Sequence, residues 1–140
     1  MVDHQWTVVY PPQAKMHVHG DAMTTGAELF PLLESLNFDV KAGVVLCGGD
    51  EAFYCELSQE LHADVLPRRH LAVADPVECR EYAHMLKGTL QTLGETSASM
   101  KARELEKVLR EGAPHDELAA ALLADLNRMD STLNRVFKGS

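Results

Sequence analysis

The segment that decides the fold is EYAHMLKGTLQTLG, residues 81–94. An ideal α-helix advances about 100° per residue, so a helical plot sorts these positions and their neighbours onto faces. The apolar residues fall together on one face, and they are Cys79, Ala83, Leu86, Leu90 and Leu93. Such a stripe is typical of a helix that packs one side against a core. The pattern therefore predicts a helix with one buried face and one polar face.

His84 lies on the polar face of this predicted helix. Arg80, Lys87, Gly88 and Gln91 fall within about 60° of it, because they stand three, four or seven residues away. These residues form one patch that points away from the apolar stripe. We therefore expect the imidazole of His84 to be exposed to water.

Length and composition indicate a single soluble-type domain. The chain has 140 residues, 46% of them hydrophobic, and a formal net charge of −8 at pH 7. This length is enough for one core, and the acidic charge disfavours nucleic acids and anionic membranes as main partners. The cysteines Cys47, Cys55 and Cys79 form no Cys-x-x-Cys pair, which indicates buried free thiols in a reducing compartment. No secretory signal or apolar run of membrane-spanning length occurs, so we expect a cytoplasmic protein.

The first part of the chain differs from the rest. Residues 1–25 contain the apolar run Trp6–Tyr10 and then polar residues, and we predict an N-terminal arm of uncertain structure. Residues 26–140 are predicted to form a helical bundle domain. His17 and His19 alternate like a metal-binding pair, but no third ligand is near them, so no metal site is predicted.

Apolar periodicity and capping residues divide the domain into helices. The predicted first short helix carries Leu29, Leu32, Leu33 and Leu36, the later N-terminal caps are Asp39, Asp50, Asp75 and either Thr96 or Ser97, and the last helix begins at Asp116. At Pro67 the third helix either stops, or kinks and resumes through Leu71 and Val73. Because the connections are short, we predict an all-α fold, an antiparallel up-and-down four-helix bundle preceded by one or two short helices.

Several positions, taken in order, resemble a known family. One match is a His-x-Leu-Lys-Gly string that is followed by a glycine six residues later; it consists of His84, Leu86, Lys87, Gly88 and Gly94. The further matches are Gly48 to Tyr54, Asp75, Ala102, Leu105 and Glu106. Over roughly residues 38–137 the chain is similar to the histidine-containing phosphotransfer (HPt) domains of multistep two-component phosphorelays. It departs from them in a shorter stretch between Tyr54 and Asp75, and in Glu95 and Ala98, where alanine and leucine are commoner.

The chemistry of a phosphoryl carrier suits the residue types around His84. A neutral imidazole is nucleophilic near pH 7 because its unperturbed pKa is about 6.5, and the P–N bond that it forms stays reactive. The resemblance implies that His84 is the phosphoacceptor. Lys87, with Arg80 from the preceding turn, would stabilise the phosphoryl oxygens. Gly88 would leave clearance for a partner, and Gln91 would orient the group from the edge.

The resemblance also implies the partners. They are receiver domains of response regulators or hybrid histidine kinases, each with its own aspartate and Mg²⁺. The chain has no Gly-rich phosphate loop and no likeness to an ATP-binding kinase domain, so it should need no cofactor and have no ATP-dependent kinase activity. We expect a monomeric phosphorelay carrier that takes a phosphoryl group from one receiver aspartate and passes it to another.

Two further expectations concern binding. An apolar rim of Met85 with Leu29 or Phe30 could contact the receiver. Two alternatives remain open from the sequence. The chain could be a non-phosphorylated helical adaptor that binds a signalling partner, or a plain helical interaction module whose motif match is accidental.

Overall fold

The computed structural model describes residues 26–137, and the predicted arm with His17 and His19 lies outside them. In chain order the α-helices are α1 (Gly26–Ser35), α2 (Val40–Leu46), α3 (Glu51–Glu60), α4 (Pro76–Leu93), α5 (Thr96–Arg110) and α6 (Asp116–Leu133). A π-helical turn, Leu61–Val65, and a 3₁₀-helix, Leu66–Val73, join α3 to α4. No strand occurs within residues 26–137, so the prediction of an all-α fold is confirmed for this part of the chain.

Three helices begin at aspartate caps, as predicted. Asp39 Oδ1 accepts from the backbone N–H of Ala42 at 3.0 Å, and Asp50 Oδ1 accepts from that of Phe53 at 3.0 Å. Asp75 Oδ1 accepts two N–H groups of the first turn of α4, both at 3.0 Å, and Pro76 follows it at a position where its missing N–H costs nothing. Each cap satisfies donors that the helix itself leaves unpaired, a contribution of about 1 kcal/mol.

The cap of α5 is not the one that the sequence predicted. We expected Thr96 or Ser97, but Glu95 occupies the capping position and its Oε1 accepts from the backbone N–H of Ala98 at 2.6 Å. Thr96 and Ser97 are exposed residues of the first turn. The glutamate side chain is longer than that of serine or threonine, but it accepts from the N–H group three residues later that either of them would satisfy at this position. Glu95 is buried.

The chain continues through Pro67 instead of stopping before it. The π-helical turn precedes the proline, and the 3₁₀-helix carries a kink at Arg68, whose φ is −100° and ψ is 17°. Proline has no N–H for a regular helical hydrogen bond, so the helix changes its winding at this point. The second alternative, a kink with the helix resuming through Leu71 and Val73, is therefore correct.

The apolar stripe of α4 lies in the core, as predicted. Cys79, Ala83, Leu86, Leu90 and Leu93 are each 0% exposed. The most extensive contact between helices in the described range joins α4 to α5, and α6 packs against the 3₁₀-helix. This packing fixes the rotation of α4 about its axis, and so it decides which of its residues face water.

The C-terminal end of α4 is held close to α2 by Asp39 and to α3 by Tyr54. Tyr54 Oη donates to the carbonyl of Leu93 at 2.7 Å, and the N–H of Asp39 donates to the carbonyl of Gly94 at 2.9 Å. Gly94 has a φ of 90°, in the left-handed region that favours glycine, and it ends α4. A Cβ atom on Gly43 would overlap the Tyr54 ring, so glycine is needed where α2 approaches this end of α4.

The remaining sequence expectations concern cysteines, metals and membranes. The three cysteines are free; Cys47 and Cys79 are buried and Cys55 is half-buried, so the predicted burial is confirmed for two of them. Burial raises the pKa of the Cys47 and Cys55 thiols to about 11. Within residues 26–137, no three His, Cys, Asp or Glu side chains come together as metal ligands. None of the described helices combines the length and the apolar character needed to cross a membrane.

Candidate functional site

His84 stands on the side of α4 that faces away from the core. Its side chain is 68% exposed, whereas Ala83 and Leu86 beside it are fully buried. The predicted exposure of His84 is therefore confirmed. The helix is rigidly placed by its buried stripe, so the imidazole is presented to solvent from a fixed backbone.

A buried carboxylate on α5 holds the imidazole. His84 Nδ1 lies 2.9 Å from Glu106 Oε2, and Lys87 Nζ donates to Glu106 Oε1 at 2.6 Å. Arg110, one turn further along α5, places Nη2 3.2 Å from the same Oε2 atom. The Glu106 side chain is only 10% exposed. One carboxylate thus gathers three side chains from two helices around the candidate phosphoacceptor.

The charge of Glu106 decides which nitrogen of His84 is free. Burial alone would raise the pKa of this carboxyl, but the hydrogen bonds and charges of Lys87 and His84 outweigh it and lower the pKa below its usual range. An ionised carboxylate can only accept hydrogen bonds, so Nδ1 of His84 carries the proton and donates it. In the neutral ring, Nε2 then keeps the lone pair.

Only some of the site residues predicted from the sequence contact Glu106. Lys87 is one of them. Gly88 is exposed, and a Cβ atom built there would meet nothing within 4 Å. Arg80 is exposed, and its guanidinium makes no hydrogen bond or ion pair with another residue of the described range. Gln91 is also exposed, and no hydrogen bond connects its amide to His84.

Sequence reasoning missed the parts played by Glu106 and Arg110. Glu106 entered only as one more match to a family pattern, and Arg110 did not enter at all. The four-residue spacing between them on α5 predicts an ion pair within that helix. It does not say that the pair faces a histidine 22 residues earlier, which is fixed by how α4 and α5 pack.

An apolar groove lies on another side of the site. It has a volume of about 330 Å³ and runs between α4 and the segment from α3 to the kink, with Met85 and Gly88 in its lining; apolar residues that share the lining are Leu57, Leu61, Val65 and Leu93. Leu29, which we expected beside Met85, is fully buried and cannot form a rim. Phe30 is half-buried and packs edge-on against Tyr54, with ring centroids 5.7 Å apart.

Acidic groups stand along this groove. Glu60 and Asp64 line it together with Arg68. Burial raises the pKa of the Glu60 carboxyl, with further contributions from the charges of Asp64 and Glu56. The groove therefore offers an apolar floor with net negative charge in its lining, directly beside Gly88.

Comparison with family models supports the resemblance drawn from the motifs. The model of the Hpt domain matches residues 54–135, more than half of the chain. The chain belongs to the Hpt domain family. A search of curated proteins and a search of solved structures returned no match. The matched range of the Hpt domain contains α4 and α5 complete, and with them His84 and Glu106. Membership indicates a phosphotransfer module of two-component signalling.

Proposed function

We propose that this Hpt domain is a phosphorelay carrier, in which His84 accepts a phosphoryl group from the aspartate of one receiver domain and passes it to the aspartate of another. The observation that supports this most is the exposed imidazole whose Nδ1 is bonded to a buried carboxylate. This arrangement supplies an oriented nucleophile without any base to activate it, because a neutral imidazole already has a free lone pair at Nε2.

In the proposed reaction, Nε2 of His84 attacks the phosphorus atom of the receiver's aspartyl phosphate. The P–N bond forms, the P–O bond to the aspartate breaks, and the electron pair leaves with the aspartate carboxylate. The proton on Nδ1 stays in place, so the phosphorylated ring carries a positive charge, which Glu106 balances across the 2.9 Å hydrogen bond. A positively charged ring is also a better leaving group when the phosphoryl group moves on.

The phosphoryl oxygens need positive charge near them. Lys87 stands one helical turn from His84, and its ammonium is already fixed by Glu106 at 2.6 Å. Arg110 approaches from α5 through the same carboxylate, so we add it to the predicted stabilising residues. Arg80 and Gln91 keep their proposed roles as exposed groups on the same helix that could turn toward the phosphoryl group.

Gly88 and the apolar groove provide the place for a partner. A glycine inside a helix costs roughly 1 kcal/mol relative to alanine, and no close helix contact requires it here. We propose that it leaves space for a receiver loop, while the receiver docks over Met85 and the groove. The proposed frame is an antiparallel up-and-down bundle of α3 with its extension, α4, α5 and α6. Mg²⁺ would be supplied by the receiver, and the carrier would act as a monomer.

The test of this proposal is direct labelling of His84. The purified chain is incubated in separate reactions with phosphoramidate, which is a small phosphoryl donor, and with phosphorylated receiver domains. We expect an acid-labile, alkali-stable label that is absent in His84→Gln. The matched control is His70→Gln, because His70 is also exposed but makes no bond to Glu106. A wild-type chain that takes no label from any donor would contradict the proposal and favour the adaptor alternative.

A further inference from the structure

A second cleft lies between α4 and α5 and begins one turn beyond His84. Its volume is about 270 Å³, and its lining consists of Lys87, Gln91, Thr96, Ser99, Met100 and Arg103. Lys87 belongs both to this cleft and to the cluster around Glu106, so the cleft borders the phosphoacceptor site. A partner seated over His84 would therefore lie against the cleft as well.

The charge of this cleft is opposite to that of the whole chain. Its two ionised lining residues, Lys87 and Arg103, are both cations, although the chain carries a net charge of −8. Lys87 already pairs with Glu106, but the exposed guanidinium of Arg103 makes no hydrogen bond or ion pair with any residue between 26 and 137. The cleft thus holds a cation that pairs with no residue between 26 and 137.

The remaining lining suits a protein side chain. Gln91 and Thr96 are exposed and could donate hydrogen bonds, whereas Ser99 already donates to the Lys87 carbonyl at 2.9 Å. Met100, at the edge, is 57% exposed. Arginine and methionine are both enriched in the contact regions of protein interfaces. The planar guanidinium also fits a carboxylate through two parallel hydrogen bonds.

We propose that this cleft receives an aspartate or glutamate side chain of the receiver domain docked at His84, and that Arg103 thereby selects among receivers. The inference rests on the proposed function, since it needs a receiver at this site. Pairing with Arg103 favours receivers that carry an acidic residue at the matching position. A receiver with a basic residue there places like charges together and is rejected.

The experiment compares two donors on the same variants. The rate of His84 labelling by purified phosphorylated receiver domains is divided by the rate with phosphoramidate, so that any general effect on the imidazole cancels. In Arg103→Glu this ratio should fall about tenfold or more for the receiver that labels the wild type fastest. Arg103→Lys should keep part of it. Arg135→Glu is the control, because it makes the same charge change at an exposed position outside the cleft, and its ratio should stay within about twofold of the wild type.

A reciprocal change in the receiver identifies the occupant. Acidic residues near its phosphorylated aspartate are replaced by arginine one at a time, and one of these should restore labelling of Arg103→Glu. An unchanged ratio in Arg103→Glu overturns the inference while leaving the proposed function intact. A loss that is equal for every receiver and rescued by none also overturns it, since that indicates only a general electrostatic field. A wild type unlabelled by either donor overturns the proposed function itself.

Discussion

The two ends of α5 carry the same residue type in buried positions but use it differently. Taken as whole residues, Glu95 before the first turn is 4% exposed and Glu106 in the last turns is 7% exposed. Burial raises the pKa of the Glu95 carboxyl, because only the N–H of Ala98 and weaker charge effects oppose it. The pKa of Glu106 is lowered, since Lys87 and His84 donate hydrogen bonds that outweigh burial.

This difference separates a carboxylate that caps a helix from one that holds the candidate phosphoacceptor. Burial acts on both in the same direction, so it cannot explain the opposite outcomes. Glu95 serves one backbone donor and fixes where α5 begins. Glu106 serves side chains from the polar face of α4, and its ionisation fixes the tautomer of an exposed histidine. Helix α5 therefore supports the fold at one end and organises the candidate site at the other.

The largest effect is expected from Glu106→Ala. Removing the acceptor of Nδ1 leaves the imidazole free to rotate and to change tautomer. We therefore expect His84 labelling from a receiver to fall about 10- to 100-fold, by analogy with the groups that orient metal-bound histidines. Initial rates on folded protein give the measurement. Glu104→Ala, an exposed glutamate two residues earlier on α5, is the matched control and should leave the rate unchanged.

Replacing Glu95 should lower stability and leave labelling unchanged. Glu95→Ala removes the cap of α5 and leaves the N–H of Ala98 without its acceptor, so the free energy of unfolding in urea should fall by about 1 to 2 kcal/mol. The labelling rate of the folded fraction should not change. Glu95→Gln keeps an oxygen for Ala98 without a buried charge, and it should be at least as stable as the wild type. If Glu95→Ala slowed labelling as much as Glu106→Ala, the proposed division of α5 would be wrong.

Gly88 tests whether fold and function also separate on α4. Because a Cβ atom there meets nothing within 4 Å, Gly88→Ala should raise the free energy of unfolding by about 0.5 to 1 kcal/mol. Labelling by a receiver should nevertheless slow relative to labelling by phosphoramidate, since only the receiver needs the clearance. If Gly88→Ala left the ratio of the receiver rate to the phosphoramidate rate as it is in the wild type, the clearance role would be removed.

The pH dependence of stability should distinguish the two carboxylates. The folded pKa of Glu106 is lowered, so its contribution is present above the ordinary value of 4.5 and is lost as the pH falls through the folded pKa. The folded pKa of Glu95 is raised, so its contribution is present below 4.5 and is lost as the pH rises through the folded pKa. Urea unfolding of the wild type and the two Glu→Gln variants between pH 3 and pH 7, a range of about four units around these values, measures both signs.

The sequence predicts elements whose signals are local. Aspartate caps lie next to the donors that they satisfy, so Asp39, Asp50 and Asp75 were placed correctly. The cap of α5 was wrong because Thr96 and Ser97 are better cap formers by residue type, and nothing local shows that the longer Glu95 side chain is buried against Ala98. The π-helical turn before Pro67 is not predicted either, because the spacing of Leu57, Leu61 and Val65 fits an ordinary α-helix.

In the candidate site, too, features set within one helix can be predicted from the sequence, whereas contacts between helices cannot. The exposure of His84 follows from the 3.6-residue period of α4, because the apolar stripe alone fixes which face is wet. The bond to Glu106 joins two helices, and the period of one helix does not say which residue of its neighbour lies opposite. For this reason Lys87 was assigned to the phosphoryl group while its pairing with Glu106 was missed.

The most direct test of the central claim is to identify the nitrogen of His84 that carries the phosphoryl group. The ¹⁵N-labelled chain is phosphorylated with phosphoramidate, and coupling between ³¹P and the ring nitrogens is measured by NMR, with His84→Gln as the blank. The bond between Nδ1 and Glu106 predicts that phosphorus is attached to Nε2. Attachment to Nδ1, or a phosphorylated histidine that persists in His84→Gln, would contradict the account.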